Sequence, residues 1–141
     1  MTVATGYLLD TNVISETRRS RADGGVMDFL SAADAAGLFL SVLTLGELRK
    51  GVVAKRRTDP AAADRLGSWV DSIETTFSDR VLSIDAAAAR RWGELSAGRS
   101  LPVIDTLIAA TALRYGLTLV TRNTRDFESI GVPLVDPWRV P

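Results

Sequence analysis

Four acidic side chains in this sequence stand where a chain could use them for chemistry. Asp10 closes the apolar run Tyr7-Leu8-Leu9, and Glu47 lies three residues after Thr44. Asp105 follows Pro102-Val103-Ile104, and Asp126 lies in Thr121-Arg122-Asn123-Thr124-Arg125-Asp126-Phe127, just after another apolar run. Each has an ordinary explanation. Asp10, Thr11 and Asn12 can satisfy free N–H groups at a helix start, Thr44 and Glu47 match a Thr-x-x-Glu capping box, Asp105 complements a helix dipole, and Asn123 and Asp126 suit a turn. Gathered at one place they would do something else. Carboxylates about 4 Å apart repel by roughly 4 kcal/mol per pair at an effective dielectric near 20, so such a cluster calls for a divalent cation. All-oxygen donors favour a hard ion, Mg²⁺ or Mn²⁺, over Zn²⁺. An ion of that kind lowers the pKa of a bound water and neutralises charge developing on a phosphate.

The remaining composition narrows the chemistry further. The 141 residues include no His and no Cys. That removes thiolate zinc sites, disulfide scaffolds, Cys nucleophiles, Ser-His-Asp triads and imidazole acid/base catalysis. With 46% hydrophobic residues and 17 basic against 17 acidic side chains, the chain reads as one globular domain over residues 1–141, large enough for a real core. Zero net charge rules out a uniformly phosphate-seeking surface but leaves room for a local basic stripe. Arg49, Lys50, Lys55, Arg56 and Arg57 form such a stripe just after Glu47, with Arg49 the best placed to hold a phosphate flanking the acids and a solvated helix face the plain alternative. Arg122 and Arg125, beside Asp126, are equivalent candidates. No signal-peptide core and no run approaching ~18 apolar residues is visible, so the expected location is the cytoplasm, without a membrane anchor.

Something must carry these acids to one place, and the hydrophobic pattern supplies it. Short apolar runs at 6–9, 38–40, 81–84 and 117–121 read as buried strands, and 133–135 as a short last one. Between them, Val26, Phe29, Leu30 and Ala33 share a helix face closed by Gly37. Leu45, Leu48 and Val52 share another, on a helix opened by Thr44 and ended or kinked at Asp59-Pro60. Leu66, Trp69, Val70 and Ile73 mark a helix over 61–76, with Trp69 read as a core residue and an interface role as the alternative. An Ala-rich helix runs from Asp85 to about Ala97, and a helix apolar on nearly every side spans Val103 to Tyr115, closed by Gly116. Strands alternating with helices imply parallel pairing through right-handed crossovers and a sheet covered on both faces. In such a sheet the carboxyl ends of the strands meet at one edge, which is where these acids lie.

The segments Leu8-Leu9-Asp10-Thr11-Asn12-Val13, Thr44-Leu45-Gly46-Glu47-Leu48, 102–112 and 119–127, in this order and spacing, resemble a PIN domain, particularly the VapC and FitB-like toxins. The resemblance spans nearly the whole chain. It implies an α/β/α sandwich around a parallel sheet of four or five short strands, and a metal-dependent ribonuclease from a type II toxin-antitoxin pair. It also implies that Asp10, Glu47 and Asp105 bind Mg²⁺ or Mn²⁺ and position the attacking water, with Asp126 as the more variable fourth acid. Asn123 stands where some members carry a carboxylate, which leaves the fourth position open between Asn123 and Asp126. Thr11 and Thr121 correspond to hydroxyls flanking the acids, as supports or substrate contacts; Arg49, Arg122 and Asn123 are expected to contact RNA from their positions beside the acids. The implied partners are an RNA substrate, a VapB- or FitA-like antitoxin and a second copy of the toxin. Two rivals differ in kind. A receiver- or haloacid-dehalogenase-like phosphotransfer domain would need a second Asp where Thr11-Asn12 stands, or a Lys after an apolar strand. A PIN-like domain that only binds would be signalled by loss of a main acid, and all three are present.

Overall fold

A computed structural model describes residues 6–139. The elements run β1 (Tyr7–Leu9), α1 (Thr11–Glu16), α2 (Gly24–Ala32), β2 (Leu38–Ser41), α3 (Val42–Arg56), α4 (Pro60–Thr76), β3 (Val81–Leu82), α5 (Ala86–Ser96), α6 (Val103–Tyr115), β4 (Thr118–Val120), α7 (Thr124–Phe127) and β5 (Leu134–Val135). The five strands form one parallel sheet in the order β3-β2-β1-β4-β5. This is the expected α/β architecture with its parallel sheet of short strands.

Alternation along the strands builds the two cores. Successive strand residues point to opposite faces, so paired Leu8 and Leu119 enter one cluster with Ile108, Ala109, Ala112 and Phe127, and paired Leu9 and Val120 enter the other with Val13, Val26, Leu48, Val52 and Val70. The first face is covered by α6 and α7, with α5 against α6. The second is covered by α1 to α4, with α3 against α4. Ala109, Ala110 and Ala112 are wholly buried, and these small side chains let α6 lie close to the sheet. Gly116 ends α6 in the left-handed region at φ 67°, a conformation open to glycine at little cost.

The strand order sets the position of the site. The chain steps from β1 out to β2 and β3, then returns to the other side of β1 with β4 and β5. Between β1 and β4 the direction of winding reverses, and the carboxyl ends of strands at such a point open a crevice. Asp10 follows β1 there and Thr121 follows β4. The Asp10 amide donates to the Val120 carbonyl at 2.9 Å, and the Thr121 amide to the Val135 carbonyl at 3.0 Å.

Several local expectations change. The third helix opens at Val42, not Thr44, because Ser41 caps it through the Leu43 amide at 3.1 Å; the Thr44–Glu47 capping box does not form. The second helix stops at Ala32, and a 3₁₀ turn over Ala35–Gly37, capped by Asp34, leads into β2. The third helix ends at Arg56, short of Asp59-Pro60, and Asp59 caps the next helix through the Ala62 amide at 3.0 Å, with Pro60 in the first turn, where it forfeits no helical bond. The expected burial of α6 holds beyond its first turn. Val103 and Ile104 are 56% and 40% exposed.

Candidate functional site

Asp10 is the innermost acid of the crevice. It is 5% exposed and caps α1, accepting the Thr11 amide on one carboxylate oxygen at 2.8 Å. The other oxygen accepts the Thr121 hydroxyl at 2.8 Å and the Asn12 amide at 3.5 Å. Thr121 is wholly buried. Its hydroxyl oxygen in turn accepts the Asn123 backbone N–H at 3.1 Å, while the Arg122 backbone N–H reaches the Asn12 side-chain oxygen at 3.4 Å. Residues 121–123 are thereby tied to residues 10–12, and the ends of β1 and β4 act as one unit.

Glu47 comes from the second turn of α3 and is exposed. Its carboxylate accepts the Thr11 hydroxyl at 2.6 Å, and that hydroxyl also lies 3.1 Å from the buried hydroxyl of Thr44. Thr44 thus supports the loop after β1 instead of capping its own helix. Asp105 stands in the first turn of α6 and Asp126 in the first turn of α7.

The electrostatics join all four acids. Burial is the main influence on Asp10 and pushes its pKa up. Hydrogen bonds from Thr121 and the Thr11 amide act in the opposite direction, and the charges of Asp105 and Glu47 add to the rise. The net shift is upward. Asp105 is also pushed up, first by burial, then by Glu47, then by Asp126. Asp10 and Asp105 therefore feel other acids across the crevice, a raised energy that a cation would relieve. Among the described residues no three acids converge tightly enough to form a ready-made cage. The donors nonetheless suit Mg²⁺ or Mn²⁺, since Mg²⁺ dehydrates reluctantly and is commonly held by one or two carboxylates with water filling the remaining positions.

The predicted basic contacts fare differently. Arg49 bridges to α4: its guanidinium pairs with Asp71 and contacts Glu74 at 3.0 and 3.1 Å. Arg56 likewise pairs with Asp64 of α4 at 2.9 Å. Arg122 holds its guanidinium 5.1 Å above the Trp138 ring, next to the crevice. Arg18, Arg19 and Arg21 escape a reading that starts from acids, yet three arginines in four residues directly after α1 are a signal of phosphate affinity. Arg19 is fixed by the buried Glu16, which also accepts the Asp23 amide at 2.9 Å.

Two hollows flank Glu47. One, of about 270 Å³, is lined by Thr11, Ser15, Arg18, Glu47, Gly51 and Trp69 among others. The second, of about 570 Å³, is lined by Val42, Leu43, Gly46, Gly51, Ala54 and Ile104 with Glu47 and Lys50. A side-chain carbon at Gly46 or Gly51 would meet nothing within 4 Å. Packing within the chain does not demand either glycine, although each costs α3 about 1 kcal/mol relative to alanine.

With this geometry in place, the chain was compared with known proteins. The family model described as PIN domain matches residues 7–133. The chain is 36% identical over 140 residues to the VapC ribonuclease Y4jK of Sinorhizobium fredii, covering 93% of this chain and 96% of that protein. It is 33% identical over 138 residues to Toxin FitB of Neisseria gonorrhoeae, covering 93% and 97%. It superposes on the crystal structure of FitAcB from Neisseria gonorrhoeae with a TM-score of 0.87 at 31% identity, covering 95% of this chain and 99% of that one. The resemblance read from the acids and their spacing is thus matched along almost the whole sequence, and the chain belongs to the PIN domain family.

Proposed function

We propose that this protein is a metal-dependent endoribonuclease and the toxin of a type II toxin-antitoxin pair, working as a single domain. The observation that carries this reading is the buried Asp10 carboxylate at the crevice between β1 and β4, with Thr11 beside it hydrogen-bonded to Glu47 and with the charges of Glu47 and Asp105 near enough to act on it. Proteins similar along nearly its full length are named VapC ribonuclease and Toxin FitB.

In this reading Asp10, Glu47 and Asp105 hold the metal, with Asp126 as the fourth acid and Asn123 beside it. When bound, a Mg²⁺ or Mn²⁺ ion would activate a water and offset charge growing on the scissile phosphate. The chain's own residues prepare that event. Thr121 and the Thr11 amide fix both oxygens of Asp10, so its carboxylate needs no reorientation. Thr11 holds Glu47 in the same way through its hydroxyl. Water adds to phosphorus as the P–O3′ bond breaks, leaving a 5′-phosphate and a 3′-hydroxyl. Arg122, Thr11 and Asn123 contact the RNA in this reading, whereas Thr121, expected as a further contact, is wholly buried and spends its hydroxyl on Asp10. Arg49, occupied by α4, gives its charge to the fold.

The partners follow the same reading: RNA, a VapB- or FitA-like antitoxin, and a second copy of the toxin. The exposed Val42 and Ile104, which line the larger hollow, offer an apolar face for that second copy. No described helix is long and apolar enough to cross a membrane, in keeping with a cytoplasmic site of action. The test is to express the chain and its Asp10→Asn variant in bacteria and map RNA ends. Growth arrest with new 5′-phosphate ends in the unsubstituted case alone supports the reading. Ends bearing 2′,3′-cyclic phosphate, or no new ends, overturn it.

A further inference from the structure

The smaller hollow beside Glu47 has features that hydrolysis of a phosphodiester does not require. Its lining includes an aromatic face, Trp69 of α4, with Arg18 of the α1–α2 connection 5.9 Å from the ring centroid. Thr11 and Ser15 supply hydroxyls on the α1 side, Leu48 and Leu66 supply apolar wall, and Gly51 leaves the α3 side without a side chain. The hollow opens directly onto the candidate acids, because Thr11 and Glu47 line it and are joined by a hydrogen bond of 2.6 Å.

We infer that this hollow receives an unpaired base of the RNA next to the scissile phosphate, stacked on Trp69, with the adjoining backbone held by Arg18 and Arg19. The inference rests on the ribonuclease reading and names the part of the substrate that the site takes. Volume, chemistry and charge agree on the occupant. A cavity of about 270 Å³ admits one planar base with part of its sugar. Every base offers a π-face to an indole, and hydroxyls at the rim can meet a base edge. Arg18 is exposed, so its contact with Trp69 is weak and the guanidinium can turn from the ring to a phosphate as the base enters. Arg19 pairs with Glu16 at 3.2 Å yet keeps 64% of its side-chain surface exposed, so it stays open to a phosphate, and Arg21 adds charge to the same short segment.

Gly51 supplies the sharpest argument. It lines both hollows and a Cβ there meets nothing within 4 Å, so the glycine serves no contact inside the chain, and its lack of a side chain leaves both hollows wider. A larger residue should fill the hollow while strengthening the helix.

The experiment measures RNA binding without divalent ion, so that binding is read apart from cleavage. The probes are a single-stranded RNA 12-mer of random sequence and an abasic 12-mer with the same number of phosphates, followed by anisotropy and by tryptophan fluorescence. Gly51→Leu and Trp69→Ala should each weaken binding of the base-containing 12-mer about tenfold, the scale of one lost stacking contact, and Trp69→Phe should restore most of it. The base-containing strand should quench the unsubstituted protein more than the abasic strand does, and this excess should disappear in Trp69→Phe, any quenching of Trp138 beside the crevice being left. Gly51→Leu should melt no lower than the parent, which separates a filled hollow from a damaged fold. Equal binding of the two 12-mers, or full binding by Gly51→Leu, overturns the inference. So does a result in which both variants bind RNA normally but fail to bind an antitoxin, since the hollow would then belong to the protein partner. If the parent binds and quenches yet cleaves no RNA with Mg²⁺ or Mn²⁺, the ribonuclease reading fails while the base site stands.

Discussion

The two halves of the acidic crevice are built to different standards. On the inner side Asp10 is buried and both its oxygens are engaged, by the Thr11 amide on one and by Thr121 and Asn12 on the other. On the outer side Glu47 keeps one hydroxyl contact, and Asp105 and Asp126 stand in the first turns of helices whose own N-caps, Pro102 and Asn123, make no side-chain capping bond. The inner half is positioned by the protein; the outer half carries charge that only a cation can balance. Substitutions inside should therefore disturb geometry and rate, and those outside should first disturb metal affinity.

The largest expected effect is at Asp10. Asp10→Asn should lower cleavage by on the order of 10³, the scale of losing several kcal/mol of transition-state charge stabilisation. The same change should raise stability when no divalent ion is present. The pKa of Asp10 lies above its ordinary value in the fold because of burial. Its contribution to stability is thus full below the unfolded pKa and is lost as pH rises through the folded one, so at pH 7 the ionised group is a cost. Asparagine removes the charge and keeps the Thr11 cap on its one carbonyl oxygen, but its amide nitrogen then faces the Thr121 hydroxyl, which must turn to accept, so the gain in Tm should be small, present at neutral pH and gone toward pH 4. Thermal melts from pH 4 to 8 with chelator check this. A lower Tm for the variant at neutral pH would show that Asp10 is held mainly by its hydrogen bonds.

Next come the two threonines, which compare the halves directly. Thr121→Val removes the hydroxyl that orients the buried Asp10 and should lower cleavage 10- to 100-fold, the usual range for a residue that orients a metal ligand. Thr11→Val frees the exposed Glu47 and should cost about a third of that on a logarithmic scale, since water can replace the lost donor. Thr121→Ser should recover most of the rate. Equal losses at the two positions would erase the distinction between the halves.

How much of this was legible beforehand differs between the same two halves. Asp10, Thr11 and Thr121 end apolar runs, and the parallel sheet those runs imply places strand ends together, so the place of the inner half follows from pattern, while the role of the two hydroxyls came from the resemblance to PIN domains. The outer half depended on helix starts, which pattern fixes poorly. Thr44 and Glu47 fit a capping box on spacing, yet Ser41 holds the cap, because Val42 and Leu43 gave no sign that the helix begins directly after the strand. Arg49 looked like a phosphate contact because it lies two residues from Glu47. Two residues along a helix is about 200° of rotation, which turns it from the crevice toward α4. Trp69 was legible as partly buried but not as a cavity wall, since periodicity reports which face is covered and not whether the cover is complete.

At the outer edge, Asp126→Asn should weaken Mg²⁺ or Mn²⁺ binding about tenfold, at the low end for residues supporting a metal site, with saturating metal restoring most of the rate. The expectation follows from its exposure and its charge coupling to Asp105. Isothermal titration with each ion, compared with Asp10→Asn, reads the two halves on one scale. A rate loss that excess metal leaves untouched would move Asp126 to the inner class.

The smallest effect tests the boundary of the site. Arg49 is joined to Asp71 and Glu74 across the α3–α4 pair, with its side chain 40% exposed. Exposed ion pairs contribute little because water screens them and long side chains lose freedom in forming them. Arg49→Ala should therefore lower stability by roughly 0.5–1 kcal/mol, a fall in Tm of about 2–4 °C. RNA binding should keep its slope of log affinity against log salt, whereas removing a phosphate contact would reduce that slope by about 1. Arg122→Ala is the natural companion, because its guanidinium stands beside the crevice over Trp138, where a shallower slope is expected. If the two variants exchange these signatures, α3 reaches the RNA through its basic stripe and the crevice is wider than its acids suggest.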